Sequence, residues 1–151
     1  MVKSLPIKIS SLLLTTCFLL SFFSSAALAD TVLITSFTST TKESTTSVPK
    51  NYHHFYSTKD TVKVTFKVDE WIKTRNIKKV NVQLQKSNGL WWSTKTTKSV
   101  TSTSSITFSV NAGSGDYRLV VWDEPEPTGW DKPPLYYPKS TRYSVDIWGI
   151  D

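Results

Sequence analysis

Hydrophobic and polar residues alternate with a period of two along five stretches of the chain. The stretches cover residues 62–68, 80–84, 106–110, 117–121 and 143–147. Alternation of this kind places one face of a β-strand on a core and the other face in water. Weaker strand patterns lie near residues 31–37 and 52–57, and only residues 70–77 have a spacing that fits a short helix. The pattern therefore predicts an all-β chain.

The connections between these strands carry turn residues. Asn88-Gly89 is the preferred sequence for the two central residues of a type I′ turn, both of which need a positive φ. Residues 111–115 form a second, glycine-containing connection. Seven or eight short strands joined in this way predict an antiparallel β-sandwich, with a closed barrel as the alternative. Residues 115–121 resemble the late strand of many immunoglobulin-like sandwiches, which implies an immunoglobulin-like arrangement.

Two segments, residues 36–47 and 93–105, consist mainly of serine and threonine. Polar tracts can be disordered linkers, but threonine is a β-branched residue that favours strands, and both tracts adjoin alternating patterns. We interpret them as solvent-facing edge strands. Lys95 and Lys98 lie in the second tract, where their charges would oppose pairing of that edge with another chain.

Residues 1–29 have the three parts of a secretory signal peptide. Lys3 and Lys8 form a basic start, a mainly apolar segment follows, and Ala27-Leu28-Ala29 fits a signal-peptidase site. The apolar segment is shorter than the about 20 residues that a membrane span needs. The sequence therefore predicts a cleavable signal peptide at residues 1–29 and a secreted, extracellular domain at residues 30–151, with no stable membrane insertion after cleavage.

Cysteine content and charge narrow the class of protein. Cys17 is the only cysteine and would leave with the signal peptide, so the mature domain would fold without disulfides. The lack of cysteines and of N-x-[ST] sequons favours a bacterial protein. Removal of Lys3 and Lys8 leaves 16 basic residues against 12 acidic, a net charge of +4. This mild excess of positive charge favours weak attraction to polyanions such as wall teichoic acids or anionic lipids. It is too small to indicate a nucleic-acid partner.

Six tryptophans lie in the predicted domain, and the adjacent pair Trp91-Trp92 is the most informative. Adjacent residues of a regular strand point to opposite faces. The two-residue turn predicted above would pair Gln85 with Trp92, which places Trp91 in the core and Trp92 outside beside Gln83 and Gln85; a three-residue turn would exchange the two indoles. An exposed indole can stack on the C–H face of a sugar while amides bond its hydroxyl groups. Trp92, Gln83 and Gln85 are therefore candidate ligand-binding residues.

Residues 123–138 form a segment that contains five of the seven prolines. Proline fixes its own φ and lacks a backbone donor, so we expect a stiff loop rather than a strand. Trp130, Tyr136 and Tyr137 are candidate ligand-binding residues on this loop. Two alternatives are a solvated loop with inward-packed aromatic residues and a calcium site. The calcium site would use Asp123, Glu124, Glu126 and Asp131.

Catalytic motifs do not stand out in the sequence. His53 and His54, the only histidines, would point to opposite faces of a strand and could not bind one zinc ion together. No G-x-S-x-G motif is present, and we interpret the scattered carboxylates as solvated strand ends rather than as a glycosidase pair. We therefore expect no enzymatic activity, no cofactor and no metal.

The leading hypothesis is a secreted, non-catalytic β-sandwich that binds a cell-wall or extracellular polysaccharide. Export, aromatic residues on a β scaffold and the mild positive charge support it. The alternative is a secreted interaction protein, such as an inhibitor or toxin-like factor, that acts on another secreted protein through the proline-rich loop. A weakly active hydrolase is the third hypothesis.

Overall fold

The computed structural model describes residues 30–42, 48–72, 77–125 and 141–151. These residues form eight strands, in agreement with the seven or eight that the sequence predicted. Within the described ranges no helix is long and apolar enough to cross a membrane. The strands are β1 (Thr31–Thr40), β2 (Asn51–Ser57), β3 (Thr61–Trp71), β4 (Ile77–Ser87), β5 (Trp92–Val100), β6 (Ile106–Asn111), β7 (Gly115–Pro125) and β8 (Thr141–Ile150).

The strands form two four-stranded antiparallel sheets. Sheet I has the order β1-β8-β3-β6, and sheet II has the order β2-β7-β4-β5. The predicted all-β antiparallel sandwich is therefore confirmed. Its immunoglobulin-like detail is not confirmed, because β1 and β2 lie in different sheets, whereas the first two strands of an immunoglobulin domain are neighbours in one sheet.

The alternating residues of both sheets meet in a single hydrophobic core. Phe66 on β3 stacks on Tyr143 of β8, with ring centroids 5.2 Å apart, and both side chains are fully buried. Burial of this apolar surface is the main stabilising term for a domain without disulfides. The core cluster consists of Val62, Val64, Phe66, Val68, Val80, Val82, Leu84, Val100, Phe108, Tyr117, Leu119, Val121, Tyr143, Val145 and Ile147.

The serine- and threonine-rich tracts contribute edge strands, as predicted. The first tract overlaps β1, at the edge of sheet I, and the second overlaps β5, at the edge of sheet II. Lys95 and Lys98 are both exposed on β5. Their charges make that edge a poor partner for a strand of another chain.

Two segments in which a short helix and a loop were expected are strands where the structure describes them. The short helix expected at residues 70–77 is wrong at both ends, because β3 continues to Trp71 and β4 begins at Ile77. The stiff loop expected from residue 123 onward is wrong for residues 123–125, because β7 continues through Asp123 and Glu124 to Pro125. Pairing with neighbouring strands therefore extends β3, β4 and β7 beyond the ends that the local sequence indicated. Residues 73–76 and 126–140 lie outside the described residues.

The register of the β4–β5 hairpin differs from the prediction by two residues. Gln85 pairs with Thr94 rather than with Trp92, and Trp92 pairs with Ser87. A shift of one residue would have reversed the faces, but this shift of two, which extends from the turn to the β-bulge between Leu84 and Gln85, leaves Trp92 on its predicted face. Trp92 therefore shares a face with Gln83 and Gln85, as predicted, although the predicted pairing is wrong.

The turn between the two strands explains the shift. The backbone N–H of Asn88 donates to the carbonyl oxygen of Trp91 at 3.1 Å, and Oδ1 of Asn88 accepts from the N–H groups of Leu90 and Trp91. The central pair is therefore Gly89-Leu90, and Gly89 has a φ of 91°, which a residue with a Cβ rarely adopts. Trp91 lies in this turn and is 63% exposed. The prediction that Trp91 lies in the core is wrong.

Candidate functional site

The outer face of sheet II carries a group of aromatic and polar side chains. Alternation along β2 directs three of its side chains outward, and residues paired across neighbouring strands share a face: His54 pairs with Arg118, and Arg118 pairs with Gln85. We call this group the aromatic face. It consists of Tyr52, His54, Tyr56, Gln83, Gln85, Trp92 and Arg118.

The aromatic face is accessible at its rings and closed beneath them. Tyr56 is 58% exposed and Tyr52 is 46% exposed, and Trp92 is half-buried. Val120 pairs with Tyr52 and Gln83 on the same outer face, yet it is only 1% exposed. The long side chains of the face therefore lie over the sheet and cover it rather than extending into water.

Trp92 lies across the sheet toward the opposite edge. Its strand and that of His54 are the two edges of sheet II, about 14 Å apart at the usual strand spacing. The ring centroids of Trp92 and His54 are nevertheless 5.2 Å apart, with the rings edge to face at 71°. Both side chains must lean over β7 and β4 to meet. The indole is thus held over the middle of the face.

Arg118 lies between two aromatic rings. Its guanidinium carbon is 4.4 Å from the ring centroid of Trp92 and 4.8 Å from that of Tyr52. A guanidinium at these distances is attracted to the negative face of each ring. The two contacts fix the position of Arg118 and orient both rings.

A chain of hydrogen bonds connects the polar groups of the face. Arg118 Nε donates to Gln85 Oε1 at 2.6 Å, the amide of Gln85 donates to Gln83 Oε1, and Gln83 Nε2 donates to Thr97 Oγ1 at 3.0 Å. Each bond holds the next amide in one orientation. The amide nitrogen of Gln85 also donates to Thr94 Oγ1 at 3.4 Å, so the chain leaves one N–H of Gln83 and one lone pair on each amide oxygen in fixed orientations beside the rings.

A shallow depression of about 360 Å³ opens at one end of the aromatic face. Trp92 and His54 line it together with two polar residues, Asp116 and Ser87, and it also touches Phe55 and Tyr117. Indole, imidazole, carboxylate and hydroxyl groups thus meet in one concave place.

The structure brings together only part of the predicted site. Trp92, Gln83 and Gln85 lie on one face, as the sequence indicated, and their role in binding stays a prediction. Trp130, Tyr136 and Tyr137 lie outside the described residues. The recognition role suggested for the proline-rich loop therefore stays a prediction.

Sequence reasoning missed four members of the aromatic face: Tyr52, His54, Tyr56 and Arg118. The first three alternate along a strand that was only weakly predicted, and the sequence Tyr-His-His-Phe-Tyr at residues 52–56 was the available signal. Arg118 gave no local signal, because its neighbours come from β2, β4 and β5 rather than from its own strand.

The two described members of the suggested calcium site do not converge. Asp123 and Glu124 are adjacent on β7, so they point to opposite faces of sheet II. Asp123 accepts a hydrogen bond from Thr141 Oγ1 at 2.8 Å, and burial raises the pKa of its carboxyl group. Glu124 accepts from Asn81 and pairs with a lysine. Among the described residues no three histidine, cysteine or acidic side chains form a metal site; Glu126 and Asp131 lie outside them.

His53 points inward and joins a polar cluster between the sheets. Its Nε2 is 2.8 Å from the hydroxyl oxygen of Tyr143, which also accepts a bond from Asn51 Nδ2 at 2.7 Å. Since Asn51 donates, the hydroxyl hydrogen of Tyr143 can be donated to a neutral His53. Burial, and then the charge of Lys42 and the proximity of His54, lower the pKa of His53 below 6.5, and burial raises the pKa of Tyr143.

We expect the stability of the protein to fall as the pH is lowered through about 6.5. The unfolded chain takes up a proton at His53 before the folded chain does, so the stabilisation is complete above the unfolded pKa and is lost as the pH falls toward the lower folded pKa. Denaturant unfolding at a series of pH values measures this slope. His53→Gln should flatten it, and equal slopes in the two proteins would contradict the assignment.

Comparison with models of known protein families finds no match to this chain, and comparison with curated proteins finds no similar sequence. The geometry of the aromatic face is therefore the observation from which a function is inferred.

Proposed function

We propose that the protein is a secreted, non-catalytic β-sandwich that binds a cell-wall or extracellular polysaccharide through the aromatic face. The observation that carries the proposal is the position of Trp92 over the middle of this face, beside the fixed amides of Gln83 and Gln85. An indole covers the C–H face of a sugar ring, and amides exchange hydrogen bonds with its hydroxyl groups. This combination suits a saccharide better than a purely apolar or a purely charged ligand.

The dimensions of the face suit an extended polymer. Tyr52 and Tyr56 are both exposed and lie four residues apart on β2, which corresponds to about 13 Å along a strand. Trp92 and the depression lie between β2 and the opposite edge. A chain of several sugar rings can therefore contact more than one aromatic side chain at the same time. Affinity per ring is expected to be low, because sugar hydroxyls only exchange water for protein partners.

The arrangement of the carboxylates around the aromatic face favours a binding role over hydrolysis. Hydrolysis of a glycosidic bond usually needs two carboxyl groups that flank it. Among the described residues, Asp116 is the carboxylate that lines the depression, while Glu124 is bonded to Asn81 and Lys79 farther along β7. The local chemistry thus supports recognition of a sugar without its cleavage.

Secretion is part of the proposal and predicts a defined N-terminus. Strand β1 begins at Thr31, and the carboxylate of Asp30 lies 2.7 Å from Lys59 Nζ, which also contacts Asp151. Cleavage after Ala29 would leave these contacts intact. We expect mass spectrometry of the exported protein to give an N-terminus at Asp30. A mass that retains residues before Ala26 would contradict the predicted signal peptide.

Retention on insoluble polysaccharides tests the function. The secreted protein should be retained on at least one of purified bacterial cell wall, chitin, cellulose or β-glucan, and soluble fragments of that polymer should release it. Loss of all retention would overturn the proposal. Co-purification of a secreted protein with no retention would favour the interaction-protein alternative, and turnover of the polymer would favour the hydrolase.

A further inference from the structure

Arg118 carries a charge that no described residue neutralises. It is half-buried, and among the described residues its side chain donates a hydrogen bond from Nε to Gln85, while no described carboxylate lies within 4.0 Å of its guanidinium nitrogens. Withdrawing a charge from water without a partner is costly. The contacts with Tyr52 and Trp92 offset part of that cost, and the two terminal nitrogens have no hydrogen-bond partner among the described residues.

The free nitrogens form a rigid, planar fork. Two rings hold the guanidinium, and Gln85 fixes its Nε edge, so the opposite edge keeps one orientation. Such a fork matches the two oxygens of a carboxylate or a phosphate, and its bonds to an anion are about twice as strong as bonds between neutral groups. The fork is therefore preorganised for an oxyanion.

We propose that the terminal nitrogens of Arg118 bind an acid group of the ligand, so that the polysaccharide recognised by the aromatic face is an anionic one. This inference rests on the proposed function and names the substrate class. The shared chemistry is an oxyanion, which can be the carboxylate of a uronic acid or the phosphodiester of a polyol-phosphate chain. In either case a sugar or polyol unit contacts Trp92 while the acid group reaches Arg118.

Other charges around the aromatic face favour one orientation of the bound ligand. Lys50 Nζ lies 5.0 Å from the ring centroid of Trp122, which is on the same outer face as Arg118, and provides a second cation. Asp116 lines the depression at the other end, two residues before Arg118 on β7. Its carboxylate accepts hydrogen bonds from hydroxyl groups and repels a second acid group. The acid group is therefore directed toward Arg118, and the neutral part toward the depression.

The affinities of the protein for charged and uncharged polymers test this inference. We would measure the affinity of the secreted protein for polygalacturonate, for its fully methyl-esterified form and for poly(glycerol phosphate). The wild-type protein should bind at least one acidic polymer about tenfold more tightly than the ester, a difference of 1.4 kcal/mol. Comparison of the first and third polymers identifies the acid group as a carboxylate or a phosphodiester.

Three variants separate the fork from general charge attraction. Arg118→Gln should remove the tenfold preference, and Arg118→Lys should keep only a small part of it, because lysine retains the charge but not the planar fork. Lys67→Gln removes an equal charge from the outer face of sheet I and should leave the preference unchanged. Thermal unfolding of each variant verifies that it is folded, and the comparison of polymers on the wild-type protein does not depend on any variant.

The outcomes distinguish the two proposals. Equal binding of acidic and esterified polymers, with loss of both in Trp92→Ala, would overturn the anionic ligand and keep the polysaccharide function. If Lys67→Gln and Arg118→Gln lose the preference for the acidic polymer equally, the preference comes from unspecific charge attraction. This result would also overturn the proposed role of Arg118. If the wild-type protein binds no polymer here and none in the retention assay, the proposed function itself fails.

Discussion

Phe66→Ala is expected to lower the free energy of unfolding by about 3–5 kcal/mol. Phe66 is fully buried in the centre of β3, between β6 and β8, where it pairs with Ile106 and Val145 and stacks on Tyr143. Truncation removes the transfer free energy of the ring and leaves a cavity that rigid sheets on both sides can fill only in part. This loss is a large fraction of the stability of a typical domain.

Urea unfolding of the purified protein measures this loss, and Thr65→Ala is the matched control. Thr65 is the preceding residue on β3 and points to the outer face, where its hydroxyl lies 3.1 Å from that of Thr107. Thr65→Ala should lower the free energy of unfolding by less than about 1 kcal/mol, as substitutions at surface positions usually do. Similar losses at Phe66 and Thr65 would show that the inner and outer faces of β3 are assigned incorrectly.

Trp92→Ala is expected to weaken polysaccharide binding at least about tenfold. Truncation removes the stacking ring and also one of the two rings that orient Arg118, and loss of an aromatic anchor at the centre of an interface commonly costs 2 kcal/mol or more. The unfolding free energy should fall by only about 1–2 kcal/mol, because the indole is half-buried. Affinity and stability therefore change in different proportions at Trp92 and at Phe66.

Trp148→Ala provides the control for this second prediction. Trp148 is also a half-buried tryptophan on an outer face, but it lies on sheet I, where it pairs with Leu33 and Lys63. Retention assays with both variants should show weaker binding for Trp92→Ala alone. Equal weakening would indicate that the loss comes from destabilisation, and unchanged binding in Trp92→Ala would remove the aromatic face as the binding surface.

Most strands could be predicted from the sequence, because period-two alternation is a local signal that burial on one face imposes directly. The assignment of strands to sheets could not, since β1 and β2 are neighbours in sequence but pair with β8 and β7. Such pairings depend on contacts between distant parts of the chain, and a local pattern does not encode them. The prediction therefore reached the sandwich but not its strand order.

The hairpin shows how a local signal can be right about a face and wrong about a residue. Asn88-Gly89 favours a type I′ turn, but Asn88 instead bonds the turn through its side chain, which moves the central pair to Gly89-Leu90. The resulting shift is even, so the position of Trp92 beside the glutamines survived the error. The predicted position of Trp91 in the core was wrong, because the displaced turn includes this residue and leaves it exposed.

The candidate site was only half visible in the sequence for a related reason. Gln83, Gln85 and Trp92 lie on adjacent strands joined by one hairpin, so register reasoning could bring them together. Arg118 and Tyr52 reach the same place through the β4–β7 and β2–β7 pairings, which join distant segments. The side-chain contacts of Arg118 with two rings follow only from the assembled sheet.

The proposed function requires that a polysaccharide binds on the outer face of sheet II. The most direct test is to follow the indole N–H signals of the six tryptophans by NMR while soluble fragments of the retained polysaccharide are added, with single tryptophan variants to assign the signals. We predict that the Trp92 signal shifts progressively while those of Trp71 and Trp148 stay in place, because only Trp92 belongs to the aromatic face. A shift of Trp148 with an unmoved Trp92 would contradict the account.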